Sequence, residues 1–163
     1  MKYAQIRDQD IGNGEGIRTS LFVTGCNLKC PGCFNVNYQD FCFGLDWNEL
    51  IQDEFIQLGC VEYIDGYSIL GGEPLLQGRE MLSLIKGIKA ISNKSIWMWT
   101  GFRFEELNEM QRSIVSEVDV LVDGPFIEAM HRKDLIFKGS SNQRIIDIKK
   151  TLLQEEVVEW INQ

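Results

Sequence analysis

The sequence predicts an α/β protein, a truncated (βα) barrel that stays open on one side. Runs of strand-forming residues alternate with apolar positions spaced three and four apart, the pattern of helices crossing over between parallel strands. At 163 residues the chain has the length of one domain, 1–163, with one core. A closed eight-unit barrel needs about 250 residues, so three or four βα units leave the ring incomplete.

Ile17 to Val23, IRTSLFV, reads as the first strand. It is entered from a turn carrying Gly12, Gly14 and Gly16 and left through Thr24 and Gly25. The loop that follows carries Cys26, Cys30 and Cys33. Asp46 is placed to cap a helix with Glu49 three positions on, and Trp47, Leu50, Ile51, Phe55 and Leu58 keep helical spacing until Gly59. Tyr67 to Leu70 forms a short strand ending at Gly71 and Gly72. Met81, Leu84, Ile85 and Ile88 mark the next helix. Ser95 to Thr100 reads as a third strand, closed by Gly101, and Phe104, Leu107, Met110, Gln111 and Ile114 as another helix with a weaker apolar stripe.

Val118 to Val122 is almost wholly apolar, as expected of a strand covered on both faces of a parallel sheet. A polar loop runs from Gly124 and Pro125 through His131 and Lys138 to Ser141. Arg144 to Ile148 returns to a strand, and the tail from Lys149 reads as a helix with Leu153, Val157, Trp160 and Ile161 on one face.

Composition narrows the function classes. With 44 % apolar and 25 % charged residues the chain is neither disordered nor fibrous. It has 24 acidic against 16 basic residues, a net charge of -8. Capture of phosphate backbones is therefore disfavoured, and nucleic acid is not an expected partner. No run reaches the roughly 18 apolar residues of a membrane span, and Met1 to Asp10 lacks the apolar stretch of a signal peptide. A cytoplasmic protein without a membrane partner is expected. In a reducing compartment, five cysteines with three of them inside Cys26–Cys33 point to metal or redox chemistry, not to a disulfide framework.

Cys26-Asn-Leu-Lys-Cys30-Pro-Gly-Cys33 offers three thiolates on one loop. A cubic iron–sulfur cluster needs one sulfur ligand per iron, so three leave one iron open. Two plainer readings stand beside this: a zinc site completed by Cys42, Cys60 or His131, and a four-cysteine electron-transfer cluster using Cys42. Ligands collect beyond the carboxyl ends of strands in α/β sheets, where this loop falls. Gly71-Gly72-Glu73-Pro74 falls at the same end of the next strand. There two glycines admit a close ligand and Glu73 offers acceptors to an ammonium group, or the tetrapeptide is simply a strand-to-helix turn.

Together these motifs resemble the radical S-adenosylmethionine superfamily, whose signature is CxxxCxxC after the first strand and GGE after the second. The resemblance implies a 4Fe-4S cluster on Cys26, Cys30 and Cys33, its open iron chelated by S-adenosylmethionine, and contacts to that cofactor from Gly32, Cys33, Phe34, Gly71, Gly72 and Glu73. It further implies reductive cleavage to a 5'-deoxyadenosyl radical that abstracts hydrogen.

Further segments are similar to the activating subunits of anaerobic class III ribonucleotide reductases. They are Asn13 to Arg18, Thr24-Gly25-Cys26, Cys30 to Asn35, Trp99 to Phe102, Val122 to Phe126 and Gly139 to Arg144. That family implies a glycyl radical made on the large reductase subunit, an open side for docking, and a flavodoxin-like electron donor. Activation of another glycyl radical enzyme such as pyruvate formate-lyase, or a noncatalytic electron-transfer module, is the alternative. One departure is that Gly32, not an aromatic residue, precedes the third cysteine, with Phe34 after it, so the adenine contact is assigned to Gly32–Phe34 as a unit.

The remaining polar and aromatic residues read more plainly. The Gly12–Gly16 segment precedes a strand and so reads as a turn, not a phosphate cradle. His131 reads as a solvated loop residue, Trp97 and Trp99 as core, and Cys42 and Cys60 as packed thiols. Asp123 either binds ribose or caps a turn; Asn142, Gln143 and Arg144 either order the loop or meet the partner.

Overall fold

A computed structural model describes residues 1–161. Seven strands form one open mixed sheet in the order β3-β1-β2-β4-β5-β6-β7, with β1 Lys2–Asp10, β2 Arg18–Val23, β3 Leu45–Asp46, β4 Gly66–Gly71, β5 Ser95–Trp99, β6 Val120–Asp123 and β7 Arg144–Asp147. The helices are α1 Glu49–Gly59, α2 Arg79–Ile91, α3 Glu109–Val115 and α4 Ile148–Gln154. Strands β2, β4, β5 and β6 run parallel, as the alternation of elements predicts. The edges differ: β1 and β3 pair antiparallel at one side and β7 antiparallel at the other.

Strand alternation divides the side chains between two faces. Leu21, Val23, Ile69, Met98, Leu121 and Ile146 point to the face that α1, α2 and α3 cover. There they meet Phe55 and Ile56 of α1, Met81, Leu84, Ile85 and Ile88 of α2, and Ile114 of α3. The residues between them, Arg18, Ser20 and Phe22 on β2, Ser68 and Leu70 on β4, and Trp97 and Trp99 on β5, lie on the opposite face. That face carries a smaller cluster of Trp97, Val120 and Val122 with Trp99, Phe137, Ile145 and Trp160 against it. Trp97 is core, as expected, whereas Trp99 packs beside it only partly buried.

Several sequence expectations need correction. Strand β1 was not foreseen, because KYAQIRDQD carries too few apolar residues to read as a strand; it forms by pairing with β2, and two register shifts interrupt that pairing. Asp46 does not cap α1. It lies in β3, ion-paired to Lys2, and the cap is Asn48, whose side chain accepts from the Ile51 N–H at 3.1 Å. The helix expected from Phe104 is split into a 3-10 turn, Phe104–Glu106, and α3, because Asn108 and Gln111 form a reciprocal capping box at 3.0 Å each way.

The tail is not one long helix. Helix α4 stops at Gln154, Glu155 turns left-handed, and the chain doubles back so that Trp160 N–H donates to the Ile145 carbonyl at 2.8 Å. Trp160 then packs edge-on against Trp97 at 4.9 Å, while Leu153 and Ile161 are exposed. The doubled-back segment covers the outer edge of β7. No described helix is long and apolar enough to cross a membrane.

Candidate iron–sulfur and ligand site

The four parallel strands all end on one side, so the loops after β2, β4, β5 and β6 are neighbours. The cysteine loop leaves β2 and the Gly71-Gly72-Glu73 turn leaves β4, and the backbone joins them. Gly72 N–H donates to the Val23 carbonyl at 2.7 Å and Glu73 N–H to the Gly25 carbonyl at 3.0 Å. From the other side, Gly25 N–H donates to the Tyr38 carbonyl and Cys26 N–H to the Gln39 carbonyl, at 2.8 and 3.0 Å. A Cβ at Gly72 would stand within 3.0 Å of Gly25 N, Gly25 O and Tyr38 O, so only glycine lets the strands' ends close this tightly.

Glu73 is 1 % exposed. Its Oε1 accepts from Leu75 N–H at 3.0 Å and Thr100 hydroxyl at 2.8 Å, and its Oε2 from Gly101 N–H at 2.8 Å. Burial pushes this carboxyl up to about 7 against the pull of those donors. The side chain thus ties the turn after β4 to the turn after β5, and an ammonium group would share it with donors already in place. Thr100 and Gly101 were missed as functional residues; a Thr-Gly pair directly after a strand was the available signal.

The sign of the pH effect follows from the raised carboxyl. Stability from Glu73 is fully present below its ordinary value near 4.5 and is lost as pH rises through about 7. Replacing Glu73→Gln sets an amide N–H against one of the buried N–H donors, at a cost of about 2 kcal/mol near pH 5, and removes that slope. Urea unfolding of both proteins at pH 5 and pH 8 checks it: the gap between them is expected to narrow as pH rises.

Cys26, Cys30 and Cys33 are half-buried, all five cysteines are free thiols, and burial pushes the Cys26 thiol up. Among the described residues no three His, Cys, Asp or Glu side chains converge as a closed metal-binding group. Chemically the donor set is what a soft cluster takes: three thiols on one loop, with Gly32 turning at φ +70° between the second and third. A Cβ there would run into the Glu128 carboxylate.

Beside the loop lies a cleft of about 450 Å³ on the face away from the helices, with Phe22, Phe34, Gly71, Trp99 and Phe126 in its wall. Of the residues expected to contact the cofactor, Phe34 and Gly71 line this cleft, whereas Glu73 is packed behind it. Phe34 rests on Phe126 at 4.8 Å and on His131 at 5.3 Å. Arg7 and Lys138, which nothing in their sequence surroundings marked, also reach the cleft.

The remaining polar residues have hydrogen-bond partners within the chain. Asp123 is buried, accepts from Phe104 N–H at 2.8 Å and is forked by Arg144, so it caps a turn. Arg144 also forks Glu105 at 2.8 and 2.9 Å and holds that carboxyl down to about 2. Gln143 accepts from Gly139 and Ser140 N–H, and Asn142 donates to the Pro125 carbonyl, so this segment orders the loop. Gly12–Gly16 is a turn held by Asp10, which accepts from Gly12 N–H and the Asn13 amide at 2.9 and 2.7 Å. His131 is exposed, as expected, with Nδ1 2.7 Å from the Gly139 carbonyl. Cys60 packs near the Tyr67 hydroxyl, but Cys42 is exposed, because the turn at Asp40 directs it outward.

Residues 12–146 match the family model described as a 4Fe-4S single cluster domain, which places the chain in an iron–sulfur class and agrees with a thiol-rich loop at the ends of parallel strands. The chain is 39 % identical over 148 residues to a protein of Salmonella typhi, 38 % over 148 to one of Escherichia coli K12 and 37 % over 148 to one of Enterobacteria phage T4. These alignments cover 88, 88 and 89 % of this chain and 96, 96 and 93 % of the relatives, each named anaerobic ribonucleoside-triphosphate reductase-activating protein. The chain belongs to that family.

Proposed function

We propose that this protein activates anaerobic ribonucleoside-triphosphate reductase by generating a glycyl radical on it, through a 4Fe-4S cluster and S-adenosylmethionine. One observation carries the reading: the cysteine loop and the Gly71-Gly72-Glu73 turn are hydrogen-bonded to each other beside a cleft at the ends of parallel strands. Helices on one sheet face and a cleft on the other support an open partial (βα) barrel of the radical S-adenosylmethionine type.

In this reading Cys26, Cys30 and Cys33 hold the cluster. Gly32, Cys33, Phe34, Gly71, Gly72 and Glu73 hold S-adenosylmethionine. Bound by these residues, the cluster and S-adenosylmethionine would supply one-electron reductive cleavage of the sulfonium coupled to removal of one hydrogen atom from a glycine Cα, with methionine and 5'-deoxyadenosine as the products. The chain's own part is position and exclusion. Gly71 brings backbone to the cleft wall while Gly72 lets the turn close on the cysteine loop, the aromatic wall of Phe22, Phe34 and Trp99 keeps water from the reacting carbon, and the open side admits the partner's glycine segment. A flavodoxin-like protein supplies the electron, and the compartment is the cytoplasm.

The test is anaerobic reconstitution with iron and sulfide, reduction, and assay of 5'-deoxyadenosine with and without the reductase large subunit. A glycyl radical signal on the large subunit, matched by deoxyadenosine, is expected. Equal radical formation on pyruvate formate-lyase, or none on the reductase, overturns the assignment.

A further inference from the structure

We infer that the loop between β6 and β7 positions the third cluster cysteine, Cys33, through the rings of Phe126 and His131. The inference rests on the proposed function for the presence of a cluster on Cys33.

The cysteines of the loop are not held alike. Cys26 is fixed from outside the loop, because its N–H donates to the Gln39 carbonyl at 3.0 Å. Cys33 N–H donates inside the loop, to the Cys30 carbonyl at 3.3 Å, which is long for an amide bond. What meets the Cys33 segment from elsewhere in the chain is the β6–β7 loop. On one side the Gly32 backbone lies against the Glu128 carboxylate, so close that a Cβ there would clash. On the other side the Phe34 ring is met by Phe126 at 4.8 Å and edge-on by His131 at 5.3 Å, and those two rings are 6.0 Å apart. Aromatic pairs of this kind attract beyond the area they bury. Neither hydrophobic cluster of the sheet includes Phe34 or Phe126, so core packing does not account for their meeting.

The contact is long-range. Strands β4 and β5 separate β2 from β6, so Phe34 and Phe126 come together across the strand ends, in the wall of the cleft that both line. The β6–β7 loop is braced well enough to serve as a support. Ile127 N–H donates to Ser140 Oγ at 3.1 Å, Ser141 N–H to the Met130 carbonyl at 3.0 Å, and His131 Nδ1 to the Gly139 carbonyl at 2.7 Å, around a Ser140 that is fully buried. The Gln143 side chain ties the brace to the end of β6, donating to the Gly124 carbonyl at 2.9 Å while accepting from Gly139 and Ser140 N–H. His131 is therefore fixed although exposed. Groups that orient a metal ligand without touching the metal are worth roughly 10–100-fold in its affinity.

The test compares the full chain with Phe126→Ala plus His131→Ala, and with a ring-keeping pair, Phe126→Tyr plus His131→Phe. In the iron-free protein, iodoacetamide labelling resolved by mass spectrometry gives the reaction rate of each cysteine. In the reconstituted protein, iron loss to a chelator and the paramagnetic resonance spectrum of the reduced cluster report on the ligand set. The double alanine variant is expected to label Cys33 about three-fold faster with Cys26 unchanged, to lose iron about ten-fold faster, and to broaden the spectrum. The ring-keeping pair is expected to match the parent in all three, and urea unfolding of the iron-free proteins to be equal, because the rings lie outside both core clusters. Labelling and iron loss equal to the parent's in the double alanine variant overturn the inference. Faster labelling of Cys26 and Cys33 alike, or a loss that the ring-keeping pair does not restore, also overturns it, because the loop would then be loosened as a whole. A parent protein that takes up no cluster refutes the proposed function instead, and with it the claim that this contact serves a cluster.

Discussion

Alanine at Cys26, Cys30 and Cys33 together is expected to abolish iron retention and deoxyadenosine formation while leaving the fold in place. The loop's position comes from backbone bonds, Gly25 to Tyr38, Cys26 to Gln39 and Glu73 to Gly25, none of which uses a thiol. Half-buried side chains shortened to alanine cost little at such a site, about 1 kcal/mol or less. Three thiolates are, by contrast, the whole protein contribution to a cluster with one open iron. The measurement is iron and sulfide per chain after desalting, alongside urea unfolding of the unloaded protein. Cys42→Ala and Cys60→Ala are expected to retain iron, since Cys42 is exposed on another turn and Cys60 packs near Tyr67. If Cys42→Ala lost iron as completely as the triple variant, the cluster would have four protein ligands and no iron free for S-adenosylmethionine.

The parallel core and the two motifs were legible because their signals are local. Short apolar runs ending in glycine gave β2, β4, β5 and β6, and the three- and four-residue spacing gave α2, whose Met81, Leu84, Ile85 and Ile88 are all buried. Contacts between distant segments were not legible. Strand β1 exists through its ladder to β2, and α4 ends where Trp160 turns back to reach Trp97 across the sheet. At the site, chemistry showed in residue type, so the thiols and Gly71-Gly72-Glu73 stood out. The partners of the Glu73 carboxylate did not, since Thr100 and Gly101 lie 27 and 28 positions away and are joined to it only by the register of β4 and β5.

Arg18→Leu is expected to destabilise the protein by roughly 3–5 kcal/mol, the cost of dismantling a buried charged network. Arg18 stands at the start of β2, within the otherwise strand-like run IRTSLFV. The side chain is 1 % exposed and crosses beneath three strands. Its Nε donates to Ser68 Oγ at 2.7 Å, Nη1 to the Glu15 carbonyl and Ser95 Oγ at 3.1 Å each, and Nη2 to the Tyr67 and Ser95 carbonyls at 2.7 and 2.9 Å. Its guanidinium also lies 5.5 Å from the Trp97 ring centre. Burial lowers its ionisation to about 10, with Asp65, Asp119 and Glu15 opposing, so it stays charged at neutral pH. Leucine would fill the stem's space and leave three carbonyls of the sheet and turn without donors, at about 1–3 kcal/mol for each group left dry. Lysine would restore the charge but not the fork, and is expected to recover less than half of the loss. The effect reaches the cleft through Ser68, whose hydroxyl donates to the Asn13 carbonyl at 2.5 Å, and Asn13 lines the cleft. Urea unfolding measures the stability change, and amide exchange at Asn13 to Gly16 measures the loosening of the turn. A loss below about 1 kcal/mol with unchanged exchange would mean that water satisfies these carbonyls as well as the guanidinium does, and that the base of the sheet does not depend on it.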